Sequence, residues 1–122
     1  VILADTMMWI DYFRNRTAGM QKQLEKAQIV MHPFIVAELS LGSLQERKKT
    51  LSYLEMLPQV KVANLGEVRR MIESHALYSK GIGLTDAHLI ASTLITPFVQ
   101  LWTRDRRLRS VAEALGIHSN LV

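Results

Sequence analysis

The six residues Val1-Ile2-Leu3-Ala4-Asp5-Thr6 constrain the fold more than any other stretch. Four apolar residues without alternation describe a short strand buried on both faces. They run into a carboxylate with no turn residue between, and Met7 to Arg14 then has helical character. Short strands alternating with helices along the rest of the chain imply a parallel α/β sheet covered on both faces. An acid between a buried strand and a helix start lies outside the carboxyl end of such a sheet, where open α/β folds carry their chemistry. The question this raises is whether other acids converge on Asp5.

Taken in order, residues 1–5 are the first strand and 7–14 a short helix, with Ile10, Phe13 and Met7 or Trp9 turned inward. Thr17 is placed to cap a helix over 18–27, with Met20, Leu24 and Ala27 on one face. Gln28 to Met31 is a second strand. Pro33 suits the first turn of a helix, and Phe34 to Leu41 is apolar enough to be buried on most of its circumference. The charge run Glu46 to Lys49 opens a helix with Leu51, Leu54, Met56 and Leu57 on its apolar side, stopped by Pro58. Val60 to Val62 is a third strand. Residues 65–79 form a long helix on Val68, Met71, Ile72, Ala76 and Tyr78 or Ser79. Thr85 can cap a helix over 86–95 with Ala87, Ile90, Ala91 and Leu94 inside. Phe98 to Thr103 is a fourth strand. Leu108, Val111, Ala112 and Leu115 mark a last amphipathic helix ended by Gly116, and 117–122 can add an edge strand. No repeat or linker interrupts the chain, so residues 1–122 are expected to form one domain.

A hydrophobic fraction of 48% is sufficient for a core. With no cysteine, disulfides, thiolate metal sites and cysteine nucleophiles are excluded, and a reducing cytoplasm is the expected location. No apolar run approaches the roughly 20 residues that span a bilayer. The short N-terminal apolar stretch has no basic leader of the signal-peptide kind. A net charge of +4 is compatible with a polyanionic partner without requiring one.

Four acids stand out. Asp5 follows the first strand and Asp105 the fourth. Asp86 sits in a helix first turn, where free N–H groups and the helix dipole favour a carboxylate. Glu38 lies within an apolar run, with no lysine or arginine within four residues. Each has a plainer reading: Asp5 and Asp105 as helix caps, Asp86 as a structural first-turn acid, Glu38 as a solvent-facing residue. Together they are harder to dismiss. Carboxylates gathered in one place repel and take up protons unless a cation neutralises them. Oxygen-only ligands suit Mg²⁺ or Mn²⁺ rather than zinc. Motifs for zinc hydrolysis, P-loop nucleotide binding and dinucleotide binding are missing, and Gly81-Ile82-Gly83 alone is too little for the last. The histidines at 32, 75, 88 and 118 are scattered, and His88 is read as structural or surface.

Asp5-Thr6-Met7-Met8-Trp9-Ile10-Asp11, Ala37-Glu38-Leu39, Gly83 to Ala91 and Leu101-Trp102-Thr103-Arg104-Asp105 resemble the PIN-domain ribonucleases, and more narrowly the VapC-type toxins of bacterial toxin–antitoxin pairs. The resemblance covers nearly the whole chain. It implies a three-layer α/β/α domain whose central parallel sheet has four or five short strands. It also implies an acidic pocket built from Asp5, Glu38, Asp86 and Asp105, with Thr6 and Thr103 as hydroxyls beside the first and last acids. A Mg²⁺ cofactor, a structured RNA substrate such as a tRNA or rRNA loop, a cognate antitoxin and a homodimer follow from the same likeness. Some relatives carry a further acid where this chain has Arg106 and Arg107.

An acidic pocket repels RNA, so cations at its rim must hold the backbone. Arg14, Arg16, Arg104, Arg106, Arg107 and Arg109 are the candidates, against ordinary helix solvation. Two other functions compete with a metal-dependent ribonuclease. One is a catalytically weak protein-binding module of the same fold. The other is a different Mg²⁺-dependent phosphoester hydrolase, although a haloacid-type phosphatase would want an acid where Met7 stands.

Overall fold

The computed structural model describes residues 1–121. Its elements run β1 (Ile2–Ala4), α1 (Thr6–Asn15), α2 (Ala18–Glu25), β2 (Ile29–Val30), α3 (Pro33–Ser40), α4 (Arg47–Met56), α5 (Leu65–Ser74), α6 (Leu84–Ile95), β3 (Gln100–Trp102) and α7 (Arg106–Ala114). The sheet is parallel, in the order β2-β1-β3. Leu3 faces Val30 on one side and Leu101 on the other. β1 is therefore the central strand, and Ile2, Leu3 and Ala4 are all buried. Helices cover the sheet in an α/β/α arrangement. α1 packs on α2 and α3, α3 on α4, and α6 on both α5 and β3.

The sheet has three strands where four or five are expected from the sequence. The two missing strands shrink to single parallel bridges at the edges, Met31 with Gln59 and Leu101 with His118. At the first edge, Met31 N–H donates to Pro58 O and Val60 N–H to Met31 O. Lys61 N–H then turns to the Thr96 hydroxyl at 2.9 Å. Asn64 and Glu67 next form a capping box that starts α5. The ladder is cut because side chains take over the backbone donors. At the other edge, Ser119 N–H reaches Leu101 O, and the Ser119 hydroxyl then accepts Leu121 N–H at 3.1 Å, which turns the chain away. The last residue of the expected 117–122 strand, Val122, lies outside the described residues.

Helix rotations also differ from expectation, and the caps explain why. Asp5 caps α1 through Met8 N–H, so the helix begins at Thr6 and turns Met8, Trp9 and Tyr12 inward. Met7 is 63% exposed, and Ile10 and Phe13 are only partly covered. α2 stops at Glu25, because Ala27 takes a left-handed backbone (φ 54) and leaves the core face to Met20 and Leu24. α3 buries only Ile35 and Leu39, so its circumference is mostly open. In α4, Leu54 is buried while Met56 is exposed. α5 ends at Ser74, and a left-handed Ala76 brings Leu77 rather than Tyr78 into the core. Gly83, not Thr85, is the N-cap of α6. That helix buries seven consecutive residues, Ala87 to Thr93, while Leu94 is on the outside. Seven buried residues in a row make it a central helix rather than an amphipathic one.

Candidate active site

Asp5 and Asp105 are the N-caps of α1 and α7, Asp86 lies in the first turn of α6, and Glu38 lies in the second half of α3. β1 ends at Ala4 and delivers Asp5; β3 ends at Trp102 and delivers Thr103. The backbone N–H of Asp5 donates to Trp102 O at 3.1 Å, which locks the two strand ends together. Asp5 Oδ1 accepts the N–H of Met8 and Oδ2 accepts the hydroxyl of Thr103. The Thr103 oxygen in turn accepts Asp105 N–H at 3.0 Å, and Asp105 Oδ1 caps α7 through Leu108 N–H at 2.9 Å. Asp5 and Asp105 are thus helix caps and also members of one hydrogen-bonded chain. The cap role leaves both carboxylates available to the candidate site.

Glu38 is exposed, not sunk in an apolar wall. Its partner is near: the hydroxyl of Thr6, in the first turn of α1, donates to Glu38 Oε1. Asp86 is half-buried in the first turn of α6.

The electrostatics tie these groups together. Burial pushes the Asp5 carboxyl above its ordinary range; the Thr103 hydroxyl and Met8 N–H offset part of this, and the charges of Asp86 and Asp105 push it up further. Asp86 is raised by burial first, eased by the Gly83 backbone, and raised again by Asp105 and Glu38. No arginine or lysine is among the groups that relieve either one.

Carboxylates that raise one another in this way would favour a cation between them, and their donors are all oxygen. That chemistry fits Mg²⁺ or Mn²⁺. Among the described residues, no three His, Asp or Glu side chains form a ready-made metal cage. Magnesium does not need one, because it keeps several waters and binds through one or two carboxylates.

The arginines are less uniform than their sequence suggests. Arg104 is tied to Asp11, Nη1 to Oδ2, at 3.1 Å, and Arg109 to Glu113 at 2.8 Å. Arg14 and Arg16 line a groove of about 660 Å³ between α1, α3 and α4, and Glu38 opens onto the same groove. The Arg16 guanidinium lies over the Tyr12 ring at 5.2 Å. Arg106 and Arg107 are exposed in the first turn of α7.

Two contributors escaped the sequence reading. Asp11 neutralises Arg104, a pairing across 93 residues that no local pattern announces. His32 is fully buried; its Nδ1 accepts Phe34 N–H to cap α3, and its Nε2 lies 3.0 Å from the Ser92 hydroxyl on α6. That link fixes the helix of Glu38 against the helix of Asp86. A histidine directly before Pro33 at a helix start was the available signal.

A profile of the PIN domain matches residues 2–114. The chain is 34% identical over 117 residues to the ribonuclease VapC32 of Mycobacterium tuberculosis, in both strain CDC 1551 / Oshkosh and strain ATCC 25618 / H37Rv. The match spans 96% of this chain and 94% of that protein.

Proposed function

The chain belongs to the PIN-domain family, and from that premise we propose that it is a Mg²⁺-dependent endoribonuclease of the VapC toxin type, formed by residues 1–122 as one domain. The observation that carries this reading is the convergence of Asp5 and Asp86, both raised by burial and by neighbouring acids, with no basic side chain relieving either. The kinship with a protein named a ribonuclease supports RNA as the substrate. Structured RNA, such as a tRNA or rRNA loop, is the proposed target class. A cognate antitoxin would inhibit the enzyme, and the active form would be a homodimer.

Asp5 and Asp86 would be the principal Mg²⁺ ligands, with Glu38 and Asp105 completing the set; Mn²⁺ is an alternative. The ion, when bound, lowers the pKa of water and offsets charge on the phosphoryl oxygens. Thr103 holds the Asp5 carboxylate through Oδ2, and Thr6 holds Glu38 through Oε1. Glu38 and Asp105 would orient the water that attacks phosphorus, in line with the departing 3′ oxygen. The bond from phosphorus to that oxygen breaks, leaving a 5′-phosphate and a 3′-hydroxyl. Arg14, Arg16, Arg106 and Arg107 would hold backbone phosphates at the rim, with Arg104 available only by release from Asp11.

The direct test is cleavage of a structured RNA with Mg²⁺ and with EDTA, for the wild type and Asp5→Asn, with product ends mapped. Cleavage that needs Mg²⁺ and Asp5 and leaves 5′-phosphates is the expected result. A 2′,3′-cyclic phosphate would mean that the RNA's own 2′-hydroxyl attacked, and the hydrolytic mechanism would be wrong. The competing reading is a weak catalyst of the same fold that acts mainly by binding protein. Loss of activity in folded Asp5→Asn and Asp86→Asn proteins excludes it.

A further inference from the structure

Arg107 stands in an electrostatically adverse place. It occupies the first turn of α7, where the helix dipole disfavours a positive charge. Two neighbouring arginines have acids to answer them, Arg104 with Asp11 and Arg109 with Glu113. Among the described residues, Arg107 has no hydrogen-bond or ion-pair partner. Its guanidinium keeps its donors free, yet it does not float. Its side chain is laid against Gly81, in the loop that leads to Gly83, the N-cap of α6, and so to Asp86.

Gly81 is shaped for that contact. A Cβ at this position would meet Arg107 Cδ at 2.7 Å, Nη1 at 3.0 Å and Nε at 3.1 Å. Its backbone is left-handed (φ +78), which favours glycine again. A cation set against the dipole, unanswered by any acid, and bedded on a glycine between two acid-bearing helices breaks a local rule without structural gain. Such exceptions are where function is expected.

We infer that Gly81 and Arg107 act as one unit: Gly81 is a positioning residue that seats the Arg107 side chain, and Arg107 grips a backbone phosphate of the RNA substrate beside the acidic pocket. The inference rests on the ribonuclease reading and makes it specific. A planar guanidinium with free donors is suited to two-point contact with phosphate oxygens. Held in advance, it loses less side-chain freedom on binding.

The test is steady-state cleavage of a structured RNA with Mg²⁺, together with fluorescence anisotropy of the same RNA across a salt series. Arg107→Ala is expected to raise KM about tenfold while kcat changes less than about threefold. The slope of log affinity against log salt should shrink by about one. Arg107→Lys should recover part of the affinity, since it restores charge but not the fork. Gly81→Ala should reproduce the KM effect without touching the arginine. Gly81→Asn should do the same; asparagine tolerates the left-handed backbone, so its effect reports the collision and not the strain. The double variant Gly81→Ala/Arg107→Ala should be no worse than Arg107→Ala alone. If the wild type cleaves RNA but Arg107→Ala leaves KM and the salt slope unchanged, the inference is wrong. It is equally wrong if Arg107→Ala lowers Tm and kcat together at an unchanged slope, because the arginine is then only a prop. If the wild type cleaves no RNA, the ribonuclease reading fails, and the salt slopes still decide whether Arg107 holds a phosphate.

Discussion

The hydroxyl of Thr103 donates a hydrogen bond to Oδ2 of Asp5 and accepts one from the backbone N–H of Asp105. One side chain thus sets the orientation of the most buried acid and the start of the helix that carries another. Thr103→Val keeps the shape and removes both bonds. It leaves a buried carboxylate oxygen without its donor, at a cost of about 1–3 kcal/mol. The hydroxyl lowers the Asp5 pKa against burial, so its loss must raise that pKa further. If ionised Asp5 is needed for activity, the acid limb of the pH profile of kcat/KM should move to higher pH, with activity at neutral pH down roughly 10- to 100-fold. Thr103→Ser should behave nearly as wild type. An acid limb that stays in place in Thr103→Val would show that Asp5 does not govern the profile.

Asp86 should exchange stability for function. Its carboxyl is raised in the fold, first by burial and then by Asp105 and Glu38. The folded state therefore favours the protonated form. The sign follows: stability falls as pH rises from the ordinary carboxylate range through the raised folded value, and the loss is complete above it. Asp86→Asn removes the charge and should raise Tm in EDTA at pH 7 by a few degrees, while abolishing RNA cleavage. Millimolar Mg²⁺ should raise the Tm of the wild type and do so less for the variant. Calorimetry with and without the ion checks both. A wild-type Tm indifferent to Mg²⁺ would count against a metal site at Asp86.

The placement of three of the candidate acids was legible in the sequence, because each stands at an element boundary that is marked locally. Asp5 and Asp105 come one and three residues after their strands, and Asp86 falls in the first turn of α6. What was not legible depends on rotation about a helix axis and on pairing at a distance. The apolar run around Glu38 left a buried and a solvent-facing reading open; α3 turns only Ile35 and Leu39 inward and leaves the acid open to Thr6. The edge strands looked complete because Val60-Lys61-Val62 is rich in strand formers. Which acceptor the Lys61 N–H uses was decided by Thr96, 35 residues away. Periodicity gives the presence of an apolar face more securely than its phase, and the caps Asp5 and Gly83 supplied the phase.

His32 should limit stability in acid. Burial, and then the neighbouring His88, lower its pKa to about 4. In the unfolded chain the ordinary value is about 6.5. Between those values the unfolded state binds the proton that the folded state refuses, so stability is full above about pH 6.5 and is lost as pH falls toward 4. The ring has no room for the charge: Nδ1 accepts Phe34 N–H, and Nε2 faces Ser92. His32→Asn can still cap α3 through its side-chain oxygen and does not titrate. Urea unfolding at a series of pH values should show a shallower acid loss for the variant, although its stability at pH 7 is lower for the lost packing. Parallel curves for the two proteins would remove His32 as the cause.

Thr6 and Thr103 make the same kind of bond, hydroxyl to carboxylate, in different surroundings, so they test whether burial sets the magnitude. The Thr103–Asp5 pair is buried, with Asp5 only 6% exposed, whereas Glu38 is exposed to water. Water can replace the Thr6 hydroxyl at Glu38 but has little access to Asp5, and an exposed hydrogen bond contributes less than a buried one. Thr6→Val should therefore cost less than about 1 kcal/mol of stability. Its effect on catalysis should be a severalfold fall in kcat, because Glu38 loses its fixed orientation. It should leave the acid limb of the pH profile where it is. Thr103→Val should cost more in both stability and kcat and should move that limb. Chemical denaturation and pH–rate profiles on the two valine variants, with the serine variants as controls, give the comparison. The reverse order, with Thr6→Val the more damaging, would mean that Glu38 and not Asp5 is the acid on which the chemistry turns.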